Sequence, residues 1–174
     1  ACSRQARRVV FYAEHAAYFQ YLEGLLQGIL RTSVCDVCYL TSDPADPLLT
    51  HPPARVRSFY FRGLLPLVIL LLDSKVLVMT MPDLHQYHIR RSVRGAAHVY
   101  VFHAIMSTHM IYRPGAFDHY DVIFCVGPHH VEEIRRAERR YGLPAKRLEE
   151  VGYPWLDRLR DGATQQEGQG RRVL

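Results

Sequence analysis

The chain has 174 residues, of which 48% are hydrophobic and 22% charged, and its formal net charge is +5. This length suits one domain with a proper core, at most with an extension, and the composition excludes a disordered chain. Much of the positive charge comes from arginines near the two ends, so we predict no nucleic-acid partner, whereas an anionic substrate or a phospholipid surface fits the charge.

Strand-like and helical patterns alternate along the first half of the chain. Residues 9–13 (VVFYA) predict a strand, and apolar residues recurring at helical spacing over residues 18–30 predict a helix with one buried face. The runs at residues 34–40 (VCDVCYL) and 55–61 (RVRSFYF) predict two further strands, separated by a loop with two Asp-Pro pairs.

Four cysteines do not predict a disulfide framework in a chain of this size. Cys35 and Cys38 form a CxxC pair inside the second predicted strand, where residues three apart point to opposite faces and are poorly placed to share a metal. We interpret all four cysteines as reduced thiols of a reducing compartment, the buried ones acting as small apolar residues.

The most apolar segment lies at residues 63–72 and contains a proline. A membrane-spanning helix needs roughly 20 apolar residues, so we predict a buried core helix over residues 64–73. The N-terminus shows no hydrophobic signal region. We therefore predict a cytoplasmic protein, with peripheral contact at the inner face of the cell membrane as an open alternative.

The second half of the chain continues the alternation. A loop or short helix is predicted from Pro82 towards Arg94, and a further helix begins at Pro154. The strands predicted here lie at residues 76–80, 98–102, 122–126 and 148–152.

The clearest helix prediction begins at Pro128, since proline suits the first helical position. We place Glu132 and Glu133 in the first turn, where the helix dipole favours negative charge. The C-terminal signals are Arg139 and Arg140 in the last turn, with Gly142 and Pro144 just beyond.

Strands alternating with helices predict an α/β fold: a Rossmann-like parallel sheet with helices on both faces. Right-handed crossovers place the C-terminal end of every strand at one edge, and ligands of such sheets bind there. We therefore expect the functional site at this edge. The polar groups expected to converge are Glu14 and His15, residues 41–43, residues 80–83, His103, residues 127–130, and Gly152 with Tyr153.

The end of the chain predicts a second domain. Residues 1–160 form the predicted Rossmann-like domain, and the Gly- and Gln-rich residues 161–170 predict a flexible linker. Residues 171–174 (RRVL) repeat the pattern of residues 7–10 (RRVV), a basic pair that leads into a strand. We interpret residues 171–174 as the start of a missing C-terminal domain, so that the chain is the first half of a two-domain protein.

Histidines are concentrated near the predicted edge, since six of the ten lie between His98 and His130. His103 follows the strand VYVF and is the candidate catalytic base, because an imidazole with a pKa near neutrality can take a proton from a hydroxyl. A hydrogen bond from His103 to a loop backbone is the alternative. We interpret His98 and His119 as structural or surface residues.

Further residues are candidates for binding an acceptor or its phosphate. Arg113 could grip a phosphate with two hydrogen bonds, or pair with Asp118 or Asp121. His129 follows the turn at Gly127 and lies at a helix N-terminus, where anion binding and helix capping or packing are both open. The other candidates are Glu14, His15, Ser107 and His109.

The sequence contains no motif for a metal or a nucleotide phosphate. No histidine spacing is diagnostic of a metal site, and neither GxGxxG nor GxxxxGK[ST] occurs. We predict no metal and no cofactor, and a donor nucleotide would be left to the missing domain.

A set of short motifs carries a family resemblance: His103 after a strand, FDHYD at residues 117–121, VGP at 126–128 and VGYPWLD at 151–157. Over roughly residues 9–160 the chain resembles the N-terminal domain of the CDP-glycerol glycerophosphotransferases, the teichoic acid polymerase group with a GT-B fold. The UDP-N-acetylglucosamine 2-epimerases share this layout. The family's Trp-His-Gly-Thr is replaced here by Phe-His-Ala-Ile, and Ser107 with Thr108 could replace the lost polar groups.

The resemblance implies an acceptor-binding half of a transferase that moves glycerol phosphate, or a sugar, from a CDP-activated donor to a hydroxyl of a polyol phosphate or glycan. His103 would deprotonate that hydroxyl, while Arg113 and the Gly127 turn would hold anionic groups. The missing C-terminal domain would bind the donor, so we expect this chain alone to be inactive. The alternatives are half of a UDP-sugar 2-epimerase, and a non-catalytic α/β domain that binds anions or membranes.

Overall fold

The computed structural model describes residues 8–156 and 158–160, which form a seven-stranded sheet with helices. The strands are β1 (Val9–Ala13), β2 (Val37–Thr41), β3 (Val56–Tyr60), β4 (Val76–Met79), β5 (Ala97–Val101), β6 (Val122–Cys125) and β7 (Arg147–Glu150). The helices are α1 (Phe19–Thr32), α2 (Leu65–Leu70), α3 (Thr108–Ile111) and α4 (Pro128–Tyr141); residues 154–156 and 158–160 are also helical.

The sheet is parallel throughout, in the order β3-β2-β1-β4-β5-β6-β7. This confirms the predicted α/β, Rossmann-like fold. The order reverses between β1 and β4, because the chain adds β2 and β3 on one side of β1 and β4 to β7 on the other. In sheets of this kind, the crevice at such a switch point is where ligands bind.

Each face of the sheet has its own hydrophobic core. On one face, Leu22 and Leu26 of α1 are buried with Tyr39 and Val78 of the sheet. The side chains of α2 and α4 pack on the opposite face, together with the long connections between β4, β5 and β6. The central strands β1, β2, β4 and β5 are therefore buried on both faces, as their nearly continuous apolar sequences predict.

The second strand begins at Val37, three residues later than predicted. Its pairing with β3 starts at Val37, whereas Val34 is 94% exposed in the connection from α1. Cys35 therefore lies outside the strand, and the prediction that both cysteines of the CxxC pair lie in it is wrong. Cys38 and Cys125 are buried in the core, and burial raises the pKa of Cys125 to about 12.

The apolar segment after β3 forms a shorter and less buried helix than predicted. The helix α2 covers only six residues, of which Leu65 and Ile69 are buried. Leu64, Leu67 and Leu71 are 48–65% exposed, because a short helix lying on a sheet can bury only the side that faces it. In the described part of the chain, no helix is long and apolar enough to cross a membrane.

The helix α4 begins at Pro128 and ends at Tyr141, with Gly142 just beyond as its C-cap, as predicted. Its first turn holds His129 and His130, so the prediction that Glu132 and Glu133 lie in the first turn is wrong. The predicted linker at residues 161–170, the start of a second domain at residues 171–174, and Cys2 lie outside the described residues.

Gly142 offers a test of the α4 terminus, because it ends the helix with a φ of +63°. We expect Gly142→Ala to lower the free energy of unfolding by about 1 kcal/mol, since a Cβ disfavours this left-handed conformation. Gly63→Ala is the matched control, because its Cβ would meet nothing within 4 Å and its φ is not in that range. Urea unfolding of both variants measures the difference. Equal stabilities would contradict the assignment of Gly142 as the left-handed residue that ends α4.

Candidate functional site

The parallel sheet brings several of the predicted site residues to one edge. Glu14 and His15 follow β1, His103 lies two residues beyond β5, and Gly127 with His129 follows β6. These residues lie at the C-terminal edge because all the strands run in the same direction. Their position at the edge was predictable, but the partners of their side chains were not.

His15 belongs to a turn that is held by Asp43, which follows β2. The Asp43 carboxylate accepts the amide hydrogens of Ala16 (3.1 Å) and Ala45 (2.9 Å), and it lies 3.4 Å from Nε2 of His15. These backbone hydrogen bonds, with a smaller contribution from His15, lower the pKa of Asp43. The His15 side chain is exposed, but its Nδ1 accepts the amide hydrogen of Ala17 at 3.2 Å, so both ring nitrogens already have partners within the turn.

The imidazole of His103 is in contact with several tyrosine rings. Its ring centroid is 5.3 Å from that of Tyr18 and 5.9 Å from that of Tyr21, both contributed by the chain that follows β1. Tyr112 makes an edge contact at 6.1 Å, and the hydroxyl of Tyr153 donates to the carbonyl of His103 at 3.0 Å. The site thus combines segments that follow β1, β5 and β7.

The His103 ring is set up as a neutral base. Burial lowers its pKa, and the carbonyl of Thr80 opposes this effect only in part. Its Nδ1 atom is buried and has no hydrogen-bond partner within the described residues. A neutral imidazole that is not locked by two hydrogen bonds can accept a proton near neutral pH.

The loop that follows His103 is fastened to α4 by two histidines. His129 Nε2 lies 3.1 Å from the carbonyl oxygen of Ile105, and His130 Nε2 lies 2.9 Å from that of Met106. The buried His130 ring also accepts the amide hydrogen of Val126 on Nδ1 (3.4 Å), which sets the proton on Nε2. The structure therefore places His129 and His130 as supports of the His103 loop, while an anion-binding role for His129 stays a prediction.

Ser107 and His109 converge on Glu133 of α4 rather than on His103. The Glu133 carboxylate accepts hydrogen bonds from the Ser107 hydroxyl and from both the amide and the hydroxyl of Thr108 (2.6 Å each). His109 Nδ1 lies 3.5 Å from the same carboxylate. Glu133 therefore caps the first residue of α3 from a helix 25 residues away in sequence.

A cleft of about 420 Å³ opens at the switch point between β1 and β4. Glu14 and Tyr12 line it from β1, Asp83 from the loop after β4, and Arg62 and His88 from two other connections. Burial raises the pKa of Glu14. Arg62 has no ion-pair partner within the described residues, so the cleft offers both a carboxylate and an available guanidinium.

Arg113 is ion-paired and hydrogen-bonded to the loop that borders this cleft. Its Nε atom is 3.2 Å from Oδ1 of Asp83, and its guanidinium lies over the ring of Tyr87, 4.8 Å from the centroid, with a hydrogen bond to the Tyr87 hydroxyl. Asp83 has a left-handed backbone (φ 63°), a conformation that is costly for a non-glycine residue and is common near functional sites.

Neither partner expected for Arg113 is the one observed. Asp121 instead accepts two hydrogen bonds of 2.9 Å from Arg91 and one of 2.8 Å from the amide of His98. The His98 ring is buried, with Nδ1 2.9 Å from the carbonyl oxygen of Ala96, and burial lowers its pKa to about 4. The backbone and the ring of His98 thus both have structural hydrogen-bond partners. His98 lies near the start of β5, away from the C-terminal edge of the sheet.

Sequence reasoning missed Tyr18, Tyr21 and Arg62; it placed Asp83 at the edge but missed its ion pair with Arg113. The tyrosines had a visible signal, because they lie three apart at the start of a helix that follows β1. Arg62 had none, since an isolated arginine after a strand predicts nothing. No group of three or more His, Cys, Asp or Glu side chains that could hold a metal ion exists in the described ranges.

A scan against protein-family models found no matching model, and searches of the curated proteins and of the solved structures found no match.

Glu133 provides a pH-dependent test of the α3 cap. Burial alone would raise the pKa of its carboxyl, but the hydrogen bonds from Ser107 and Thr108, with His109 nearby, outweigh burial and lower the pKa to about 2. Because the folded pKa lies below the ordinary value of 4.5, this contribution to stability is complete above about pH 5 and is lost as the pH falls towards 2.

We expect Glu133→Gln to lower the free energy of unfolding at pH 7 by about 1–3 kcal/mol, because hydrogen bonds to a charged acceptor are lost. The difference from the wild type should shrink as the pH falls from 5 to 3. Glu132→Gln, whose carboxylate is 68% exposed and paired with Arg136, should change stability by less than about 0.5 kcal/mol. Chemical denaturation across this pH range measures both; a pH-independent difference would contradict the cap.

Proposed function

We propose that the chain is the acceptor-side half of a GT-B-type transferase that moves glycerol phosphate, or a sugar, from a CDP-activated donor to an acceptor hydroxyl. The observation that supports this most directly is the position of His103 at the C-terminal edge, one strand from the switch point, with a pKa that burial lowers so that the neutral ring is favoured. The family resemblance supplies the reaction class, and the parallel sheet agrees with the fold that it implies.

In the proposed reaction, His103 takes the proton of the acceptor hydroxyl as its oxygen attacks the β-phosphorus of a CDP-alcohol. A new P–O bond forms to the acceptor, the bond between the β-phosphorus and the oxygen that bridges the two phosphorus atoms breaks, and CMP leaves. Transfer of the hydroxyl proton to a base in this way contributes about 10²–10⁴-fold in rate. Since the cytidine nucleotide would be bound by a C-terminal domain, we expect no turnover by residues 1–174 alone.

The charges of the cleft refine the proposed roles of the arginines. A phosphate bound to Arg113 would have to compete with Asp83, which lies 3.2 Å from its Nε. Arg62 lines the same cleft as Glu14 and has no ion-pair partner in the described part of the chain. We therefore propose Arg62 as the first contact of an anionic group, with Arg113 and the Gly127 turn as secondary ones.

The base is tested by His103→Ala in the full-length protein. We expect kcat for CMP release from CDP-glycerol to fall by about 10²–10⁴-fold, because the variant lacks the proposed base. His51→Ala is the matched control, since His51 is an exposed histidine before β3 and should retain wild-type turnover. Near-wild-type turnover of a folded His103→Ala variant would remove His103 as the base.

The pH profile tests the same role independently. The pKa of His103 lies below 6.5, and only the neutral ring can accept a proton. We therefore expect kcat/KM to be constant at neutral pH and to fall as the pH drops through an apparent pKa below 6.5. An acid limb centred above pH 7 would be inconsistent with this base, and so would an unchanged acid limb in His103→Ala.

A second function is favoured by the two carboxylates of the cleft. Glu14 and Asp83 line the switch-point cleft, and a sugar-nucleotide 2-epimerase requires acidic groups beside a UDP-sugar. Incubation of the full-length protein with UDP-N-acetylglucosamine and with CDP-glycerol in parallel distinguishes the 2-epimerase from the transferase. Formation of the 2-epimer without CMP release from CDP-glycerol would replace the transferase proposal.

A further inference from the structure

Two residues of the loop between β4 and β5 together occupy the guanidinium of Arg113. Oδ1 of Asp83 lies 3.2 Å from its Nε atom. The guanidinium also lies over the ring of Tyr87, 4.8 Å from the centroid, and donates a hydrogen bond to the Tyr87 hydroxyl. An arginine is suited to bind a phosphate through two parallel hydrogen bonds. The loop therefore uses the donors with which Arg113 could bind an anionic ligand.

The Asp83 carboxylate is held in an unfavourable environment. Its side chain is 15% exposed, and its buried Oδ1 forms an ion pair with Arg113 but has no hydrogen-bond partner within the described residues. The backbone is left-handed at Asp83 (φ 63°) and again at His85 (φ 74°). An unsatisfied buried oxygen and left-handed residues other than glycine both destabilise this arrangement. An anion that replaced the carboxylate on Arg113 would return it to water and relieve this cost.

The same loop forms much of the wall of the switch-point cleft. Residues 81–83 and 87–89 line this cleft of about 420 Å³, together with Arg62. Asp83 and Tyr87 thus belong both to the cleft wall and to the pair of side chains that occupies Arg113. An anionic group that enters the cleft is therefore repelled by the Asp83 carboxylate and attracted by the guanidinium that this carboxylate occupies.

The outer part of the loop can move without disturbing the core. Leu84 is 1% exposed and anchors one end of this part, while two hydrogen bonds from Arg91 to Asp121 anchor the other. Residues 85–90, here named the loop tip, lie between these anchors and are exposed over most of their length. Because Tyr87 links the loop tip to Arg113, a ligand that takes Arg113 loosens the tip while both anchors stay in place.

We propose that Asp83 is an internal competitor for phosphate at Arg113. A polyol phosphate that enters the cleft displaces the Asp83 carboxylate, binds Arg113 and releases the loop tip. The class of ligand rests on the proposed function, whereas the competition itself needs no turnover. A neutral polyol has no charge to replace the carboxylate on the guanidinium, so the competition selects for ligands that carry a phosphate.

The test is isothermal titration calorimetry of the full-length protein with glycerol 3-phosphate, and with glycerol as the neutral comparison. We expect Asp83→Asn to tighten binding of glycerol 3-phosphate about three- to tenfold, because more of the protein has a free Arg113 once the competing charge is removed. Asp83→Gly should tighten it at least as much, since glycine also accepts the left-handed backbone. Binding of glycerol should stay weak in all variants.

Asp118→Asn is the matched control, because Asp118 lies in the same connection as Arg113 but is not its ion-pair partner. It should bind glycerol 3-phosphate within about twofold of the wild type, since a single exposed charge changes affinity little. Arg113→Gln isolates the competition. In that background Asp83→Asn should bring no gain, because the effects of two residues that act through one contact are not additive.

Hydrogen exchange supplies a structural readout. Glycerol 3-phosphate should speed the exchange of the amides in the loop tip of the wild type, because binding releases the contact between Tyr87 and Arg113. A ligand that simply added contacts to an unchanged loop would slow this exchange instead. Circular dichroism confirms that each variant is folded.

Several outcomes would overturn the proposal: no binding of glycerol 3-phosphate by any variant, no gain in either Asp83 variant, an equal gain in Asp118→Asn, a gain that persists with Arg113→Gln, or slower exchange of the loop tip on binding. Failure of the transferase has a different signature. Tighter binding by Asp83→Asn in a protein that releases no CMP from CDP-glycerol would refute the transferase and support the competition. Normal CMP release without tighter binding would do the reverse.

Discussion

The parallel direction of the seven strands is the constraint on which the other features depend. Strands that all run one way must be joined by crossovers, and the crossovers cover both faces of the sheet. The connections that follow the strand ends therefore crowd one edge, where burial changes the pKa values of Glu14 and His103 in opposite directions. A carboxyl and an imidazole at this edge both shift towards neutrality because the same desolvation disfavours both charges.

The helix α4 holds in place the chain segment that follows His103 at this edge. His129, His130 and Glu133, within its first two turns, contact the backbone of residues 105, 106 and 108. The same contacts thereby support the segment that follows the proposed base, His103, and the start of α3.

The switch-point cleft has a mixed electrostatic character, and this restricts what it can bind. A site for a bare phosphate would be expected to exclude carboxylates, yet Glu14 lines the cleft and Asp83 occupies Arg113. Arg62 leaves one guanidinium available. A ligand that carries hydroxyl groups as well as an anionic group matches this arrangement better than a simple anion, because the carboxylate can accept hydrogen bonds from hydroxyls while the guanidinium binds the negative charge.

The sequence by itself determined the strands, the fold class and the edge at which Glu14 and His103 lie, because apolar periodicity and the rule of right-handed crossovers are properties of short segments and of their order. It did not determine the partners of the polar side chains. Glu133 and Thr108 are 25 residues apart, and the predicted first-turn position of Glu133 gave no hint of its role as a cap for α3. Arg113 pairs with Asp83 across 30 positions rather than with the nearer Asp118. Only tertiary packing decides such contacts, since it alone fixes which loops share an edge and which charges are close enough to pair.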